Sequence, residues 1–210
     1  VTITYGGSEL NATQSDTKSP QFASFAAYLA AEPGDLPEGR YEYWDGELVP
    51  IMAESGLNDL LANYLFLMLV NAGVPIGLIR PHSCEVEVPG RPRTRLPDLT
   101  VLDAVHLPLI AKRNTVTRDM PPPRLLAEVV SPGNENSPNY KRDYEAKAQQ
   151  YAEIGVPEYW LIDPDRAIVL VGRLVDEGYQ FTQFAGNEMI VSPTFPGLKL
   201  TAEQVLTAGG

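Results

Sequence analysis

The chain has 210 residues, 44% apolar and 20% charged, with a formal net charge of −11. That length suits one domain with a substantial core, and the composition excludes a natively disordered chain. The acidic balance argues against the broad basic face that dominates non-specific nucleic-acid binding, though not against a local basic groove.

Residues 1–18 are polar and read as an N-terminal arm, leaving 19–210 as a single domain. Ser19-Pro20 has the form of an N-cap with proline at the first helical position, and Phe22, Phe25, Ala26 and Leu29 share one helical face up to Gly34. GRYEYWDGELVPIM predicts a hairpin turning at Asp45-Gly46, with Tyr41 and Tyr43 on one face and Glu42 and Trp44 on the other. A strongly apolar helix follows over Leu57–Ala72, closed by Gly73. An extended segment spans about Ile76 to Val88, and another strand runs from about Thr94 through LPDLTVLD. Residues 104–123 read as an irregular connection. The strand LLAEVV comes next, then a turn at SPGNENSP and a helix from about Asn139 to Ile154. The strands PEYWLID, AIVLVGRLV and YQFTQF and a short helix at TAEQVL complete the chain. Strands mixed with helices, without repeats or a splitting linker, predict an α+β (α/β) fold: a mixed sheet flanked by helices.

No apolar run reaches the roughly 18 residues that cross a bilayer, and the N-terminus lacks a signal-peptide layout. The lone cysteine, Cys84, cannot form an internal disulfide. These features predict a cytoplasmic protein without membrane association.

Three ionisable residues stand where apolar ones belong. Asp98 opens a strand after a proline, Glu128 interrupts LLAEVV, and Lys147 falls on an apolar helix face with Tyr144, Ala148, Tyr151 and Ile154. Glu145, Gln149, Gln150 and Glu153 define the wet face of that helix. A buried carboxylate is costly unless it is paired or coordinated. Asp98 could cap a turn, Glu128 could pair with a core arginine, and Lys147 could snorkel or pair with Asp143. Together, however, a strand–turn–helix unit brings Glu128 and Lys147 to one side of a sheet, where two carboxylates would hold Mg²⁺ or Mn²⁺. Such an ion acidifies bound water and polarises a phosphoryl oxygen. In GRPRTR, alternation places Arg91, Arg93 and Arg95 on one face leading to Asp98, where they are expected to grip phosphates.

The motifs RYEYWDGEL, RLPDLTVLD, LLAEVVSP and DYEAKAQQYAEIGVPEYWLIDP, spread over about residues 20–205, resemble the Uma-type restriction endonuclease family of the PD-(D/E)XK nuclease superfamily. The usual lysine position of that superfamily holds Val130, and in the Uma-type pattern the lysine has moved to the following helix, here Lys147. The resemblance implies a restriction-endonuclease-like core, metal-dependent hydrolysis of DNA phosphodiesters and a homodimer. It implies Asp98 and Glu128 as metal ligands assisted by the Val129 carbonyl. Lys147 would orient or deprotonate water, or stabilise charge in the transition state. Glu42 would be a further ligand or a water-positioning group. Where many relatives carry a histidine after the hairpin, this chain has Asn58; His82 and His106 are expected to be structural. Two other readings stand beside this one. One is a non-catalytic nucleic-acid-binding or assembly protein on the same scaffold, the other a metal-dependent hydrolase of another phosphorylated substrate.

Overall fold

The structure, a computed structural model, describes residues 21–53 and 55–210. The expected N-terminal arm and the Ser19-Pro20 helix start lie outside the described residues. Helix α1 (Phe25–Ala30) starts instead at Ser24, whose hydroxyl accepts from the Ala27 amide at 3.1 Å. The preceding residues are held extended: Gln21 bridges to Glu47, and the Phe22 amide donates to the Gly46 carbonyl at 2.7 Å. The helix stops at Ala31, whose backbone is extended, rather than at Gly34, which lies in a 3-10 turn.

The hairpin consists of β1 (Tyr41–Trp44) and β2 (Glu47–Pro50). Its turn residues Asp45 and Gly46 have φ of 45° and 104°, the handedness that matches strand twist. Tyr43 and Leu48 pack with Phe25 and Tyr28 in a small core of their own. Helix α2 (Gly56–Asn71) is capped by Ser55 and buries Leu61, Leu65 and Leu69. The expected single extended stretch beyond it is broken into a 3-10 turn, β3 (Ile79–Pro81) and β4 (Glu85–Glu87). Next come β5 (Thr94–Arg95) and β6 (Leu99–Val101). The connection expected to be irregular contains α3 (His106–Leu109) and β7 (Thr115–Val116). Strand β8 (Leu125–Val129) leads to three helical segments in succession: α4 (Pro138–Tyr140), a π-helical stretch (Lys141–Ala146) and α5 (Lys147–Glu153). Strands β9 (Glu158–Asp163), β10 (Ile168–Val175) and β11 (Gly178–Ala185) precede α6 (Ala202–Leu206).

The main sheet has the order β11-β10-β9-β8-β6-β3; β8 and β9 are parallel and the other pairs antiparallel. A smaller sheet, β5-β4-β7, lies beside it. The period of two along each strand sorts residues between two cores. Leu125, Ala127, Val129, Trp160 and Ile162 pack with α2 and α6, whereas Leu126, Val130, Tyr159 and Leu161 pack with Tyr151 of α5. This is the α+β mixed sheet flanked by helices that the sequence predicts.

One helix assignment needs correction. Gln150 belongs by periodicity to the wet face, yet it is buried, because the 89–95 loop folds over that side of α5. Its amide donates to the Pro89 and Pro92 carbonyls at 2.8 and 3.3 Å and accepts from Arg95 Nε at 2.9 Å. Gln150→Leu strands these buried partners, so urea unfolding should show a loss of about 1–3 kcal/mol. A loss no greater than that of the exposed variant Gln149→Leu would mean the loop is not held through Gln150.

Candidate active site

The site arises from the pairing of β6 with β8. Leu99 faces Ala127 across that antiparallel pair, and continuing the register by one residue sets Asp98 opposite Glu128. Leu99 and Ala127 point into the α2 core, so the period of two sends Asp98 and Glu128 to the α5 side of the sheet. The Val129 amide donates to Asp98 Oδ2 at 2.7 Å and ties the two strands together beyond their ladder. Asp98, Glu128, Val129, Asn58, Lys147 and Arg142 all line one cavity of about 390 Å³.

Glu128 is 1% exposed and both of its oxygens are bonded. Lys147 Nζ donates to Oε2 at 2.8 Å, and the Tyr151 hydroxyl donates to Oε1 at 2.7 Å. Lys147 and Tyr151 stand one helical turn apart on the face that meets β8. Lys147 Nζ also lies 3.0 Å from Asp143 Oδ1, the i,i+4 pairing open to it from the sequence. Arg142 grips both oxygens of Asp143, at 2.9 and 3.0 Å.

Charge in this cavity is unbalanced. Burial pushes the Glu128 carboxyl up to about 7; the Lys147 ammonium opposes this, and the Asp98 and Asp143 carboxylates reinforce it. Burial disfavours the Lys147 ammonium, but Glu128, Asp143 and Asp98 outweigh it and hold the amine above its ordinary range. Burial likewise works against the Asp143 carboxylate, but Lys147 and Arg142 prevail and lower its pKa. Three carboxylates thus share Lys147 and Arg142, an excess of negative charge that a divalent cation would relieve.

Among the described residues, no three His, Cys, Asp or Glu side chains gather into a metal cage. The available donors are the Asp98 and Glu128 carboxylates and the Val129 carbonyl. That carbonyl accepts from Asn58 Nδ2 at 3.3 Å and keeps a second lone pair. Two carboxylates with water filling the remaining positions fit Mg²⁺, a hard ion that dehydrates reluctantly, better than an all-protein cage would. Glu42 forms part of the cavity wall, its Oε1 accepting from Arg95 at 2.8 Å and its Oε2 from the Trp44 indole at 3.3 Å.

The sequence matches, over residues 25–203, the Uma2 family, whose description is "Putative restriction endonuclease". The chain belongs to the Uma2 family. Its fold is similar to a crystal structure of "a putative nuclease belonging to DUF820" from Anabaena variabilis. The TM-score is 0.61 and the identity 18%, with 87% of this chain and 96% of that one covered. No curated protein matches the sequence.

In this Uma2 chain the arginines of GRPRTR do not form the expected phosphate-gripping face. Arg95 is 4% exposed and bonded to Gln150 and Glu42. Arg93 pairs with Glu87 at 2.9 Å and stacks over the Phe25 ring. Arg91 is exposed and pairs with Asp45 of the hairpin turn. Strand β5 is only two residues long, so alternation does not carry across all three positions.

His82, expected from the sequence to be structural, stands against Asp98. Its amide donates to the Asp98 carbonyl at 2.9 Å, which sets its ring beside the site. Nδ1 lies 3.5 Å from Asp98 Oδ1 and Nε2 lies 3.4 Å from Asp59 Oδ1, contacts too loose for well-formed hydrogen bonds and ionic only when the ring is protonated. Contact with Asp98 raises its pKa against the opposing effect of burial. No motif marks His82; only the pairing of β3 with β6 brings it there. His106 is buried, with Nε2 2.8 Å from the Pro121 carbonyl.

Glu128 also dictates a pH dependence. A carboxyl with a raised folded pKa keeps its proton more tightly when folded, so its favourable contribution is complete below the ordinary value of 4.5 and fades as pH rises toward about 7. Asp143, lowered from 3.8, acts in the opposite sense and only in more acid solution. In metal-free buffer, Glu128→Gln should therefore gain stability relative to the parent as pH rises from about 5 to about 8. Urea midpoints measured across that range test this; a difference independent of pH contradicts it.

Proposed function

We propose that this chain is a metal-dependent endonuclease that hydrolyses phosphodiester bonds of DNA, using Mg²⁺ or Mn²⁺ held by Asp98, Glu128 and the Val129 carbonyl. The observation that carries this reading is the convergence of Asp98, Glu128 and Lys147 in one buried cavity with surplus negative charge. When bound, the cation would polarise a phosphoryl oxygen and make a bound water acidic.

The chain's own groups have separable roles. Lys147 is held as an ammonium, and a charged ammonium has no lone pair with which to take a proton. As an ammonium its action is hydrogen bonding and charge stabilisation toward a phosphate oxygen; a cation on Asp98 and Glu128 would offset the charges that hold it protonated, the condition under which it could instead accept a proton from water. Tyr151 keeps its proton, because burial and then Glu128 raise its pKa, so it stays a donor that fixes Glu128. Asp143, anchored by Arg142, holds Lys147 in reach of Glu128. Glu42, fixed by Arg95, stands at the cavity wall as a group that can orient water. A homodimer would supply one such site to each strand of a duplex. Leu57, Leu60 and Leu67 are exposed along one side of α2 among the described residues and offer an apolar face for such a contact.

Asp98→Ala should abolish both Mg²⁺ or Mn²⁺ binding by calorimetry and cleavage of plasmid DNA. Lys147→Met keeps much of the apolar stem, so it should fold, retain metal binding and lose about 10²-fold or more in cleavage rate. A methionine variant that cuts like the parent would remove Lys147 from the chemistry. Asp98-dependent metal binding by a parent protein that cleaves no nucleic acid would favour the hydrolase of another phosphorylated substrate, and absence of metal binding would favour the assembly protein. Sedimentation velocity should give twice the chain mass, and Leu60→Glu should give the monomer. A monomeric parent contradicts the dimer.

A further inference from the structure

A second cleft, of about 540 Å³, opens against the active-site cavity and shares Glu42 and Arg142 with it. Its walls are the outward face of β1, the 91–95 loop and the helical segments around residues 138–149. Trp44 lies in this cleft and is 36% exposed. The hairpin alternation that buries Tyr43 forces residue 44 outward, and a polar side chain would sit there at less cost than an indole. The ring is also held: its Nε1–H donates to Glu42 Oε2 at 3.3 Å, and Glu42 is in turn fixed by Arg95. An exposed, oriented aromatic face loses little entropy when something flat covers it.

The surrounding charge specifies what that partner carries. Arg91, Arg95, Lys141 and Arg142 line the cleft with Glu42 and Glu145; Asp45, Glu42 and Asp143 pair with the three arginines, so the accessible charge of the cleft is that of Lys141. Lys141 is exposed and has no ion pair with another described residue. An aromatic platform beside cations is how proteins hold an unpaired nucleobase and its phosphate. A paired duplex instead calls for a broad basic surface, and here Arg93, Arg95, Arg113 and Arg166 are committed to carboxylates.

We propose that this cleft is a nucleotide subsite of the active site, in which an unpaired base of the substrate strand stacks on Trp44 while Lys141 contacts a phosphate of the same strand. This rests on the nuclease reading above and adds to it the state of the substrate: the strand is unpaired beside the cut. The base comes either from a single strand or from a duplex that has released it from the stack.

Tryptophan fluorescence reads the subsite directly, because Trp160 is fully buried in the core and Trp44 is exposed. Fluorescein-labelled 15-nucleotide DNA and RNA strands, the matching paired duplexes, and duplexes with one bulged base are titrated into the full chain in Ca²⁺. Fluorescence and anisotropy are recorded together. Single strands or bulged duplexes should bind and quench the emission. Trp44→Ala should weaken that binding by about tenfold, and Trp44→Phe should restore most of it, because stacking needs a ring rather than the indole N–H. Lys141→Ala should lower the log–log salt slope by about 0.7, the loss of one single-strand phosphate contact. Quenching by the fully paired duplex as well would place the base's source in the duplex; quenching by single strands alone would place it in a free strand. Tight binding that is the same in Trp44→Ala overturns the subsite and leaves the nuclease reading intact. Absence of binding to every oligonucleotide overturns the nuclease reading itself, and the subsite with it.

Discussion

Glu128 is a carboxylate in an interior strand, almost wholly out of water, and much of the surrounding architecture is arranged to tolerate it. Both its oxygens are bonded, to Lys147 and Tyr151, which requires α5 to lie over β8 with one helical face turned toward the sheet. Lys147 is itself buried, and Asp143, balanced by Arg142, supplies its second partner. A buried charge left unpaired costs several kcal/mol, so each member of this group depends on the next. The same dependence fixes strand register. A slip of one residue would turn Glu128 into the apolar α2 core and Ala127 or Val129 toward Lys147. Strand β8 is held against that slip by β6 on one side and β9 on the other.

That arrangement does not maximise stability. Hydrophobic residues of similar volume in place of a buried ion cluster are often neutral or stabilising. Here the cluster is also unbalanced, with a Glu128 carboxyl raised to about 7 and an ammonium held charged beside it. Strongly perturbed groups gathered in a cavity are characteristic of functional sites, because the energy stored in their poor solvation is released toward a ligand of complementary charge. Under the proposed function, that burial, which the fold imposes, would become affinity for a cation and a phosphate.

Away from the cavity the chain manages its charges by pairing. Arg95 and Glu42 form the joint between hairpin and sheet, and the bond continues to the Trp44 indole. The hairpin therefore contributes to the fold through Tyr43 and Leu48 and faces the cleft through Glu42 and Trp44. Among the described residues, six arginines are already paired with carboxylates, and the Lys141 cleft is a place where a cation remains accessible.

Much of this was legible in the sequence. The hairpin at Asp45-Gly46, the strand carrying Glu128 and the inward position of Lys147 follow from local periodicity and turn chemistry, which depend on neighbours a few residues away. The joint placement of Asp98 and Glu128 needed one further assumption, that their strands adjoin. What the sequence did not reveal has a common cause. Gln150 lies on a helix face that periodicity marks as wet, but a loop some 60 residues earlier covers it. The three arginines of GRPRTR look alike in sequence, yet Glu42, Glu87 and Asp45 claim one each, and those carboxylates lie on other elements. His82 reaches Asp98 only because β3 pairs with β6. Periodicity decides which way a side chain faces. What it faces is set by long-range packing and register, which only the tertiary structure decides.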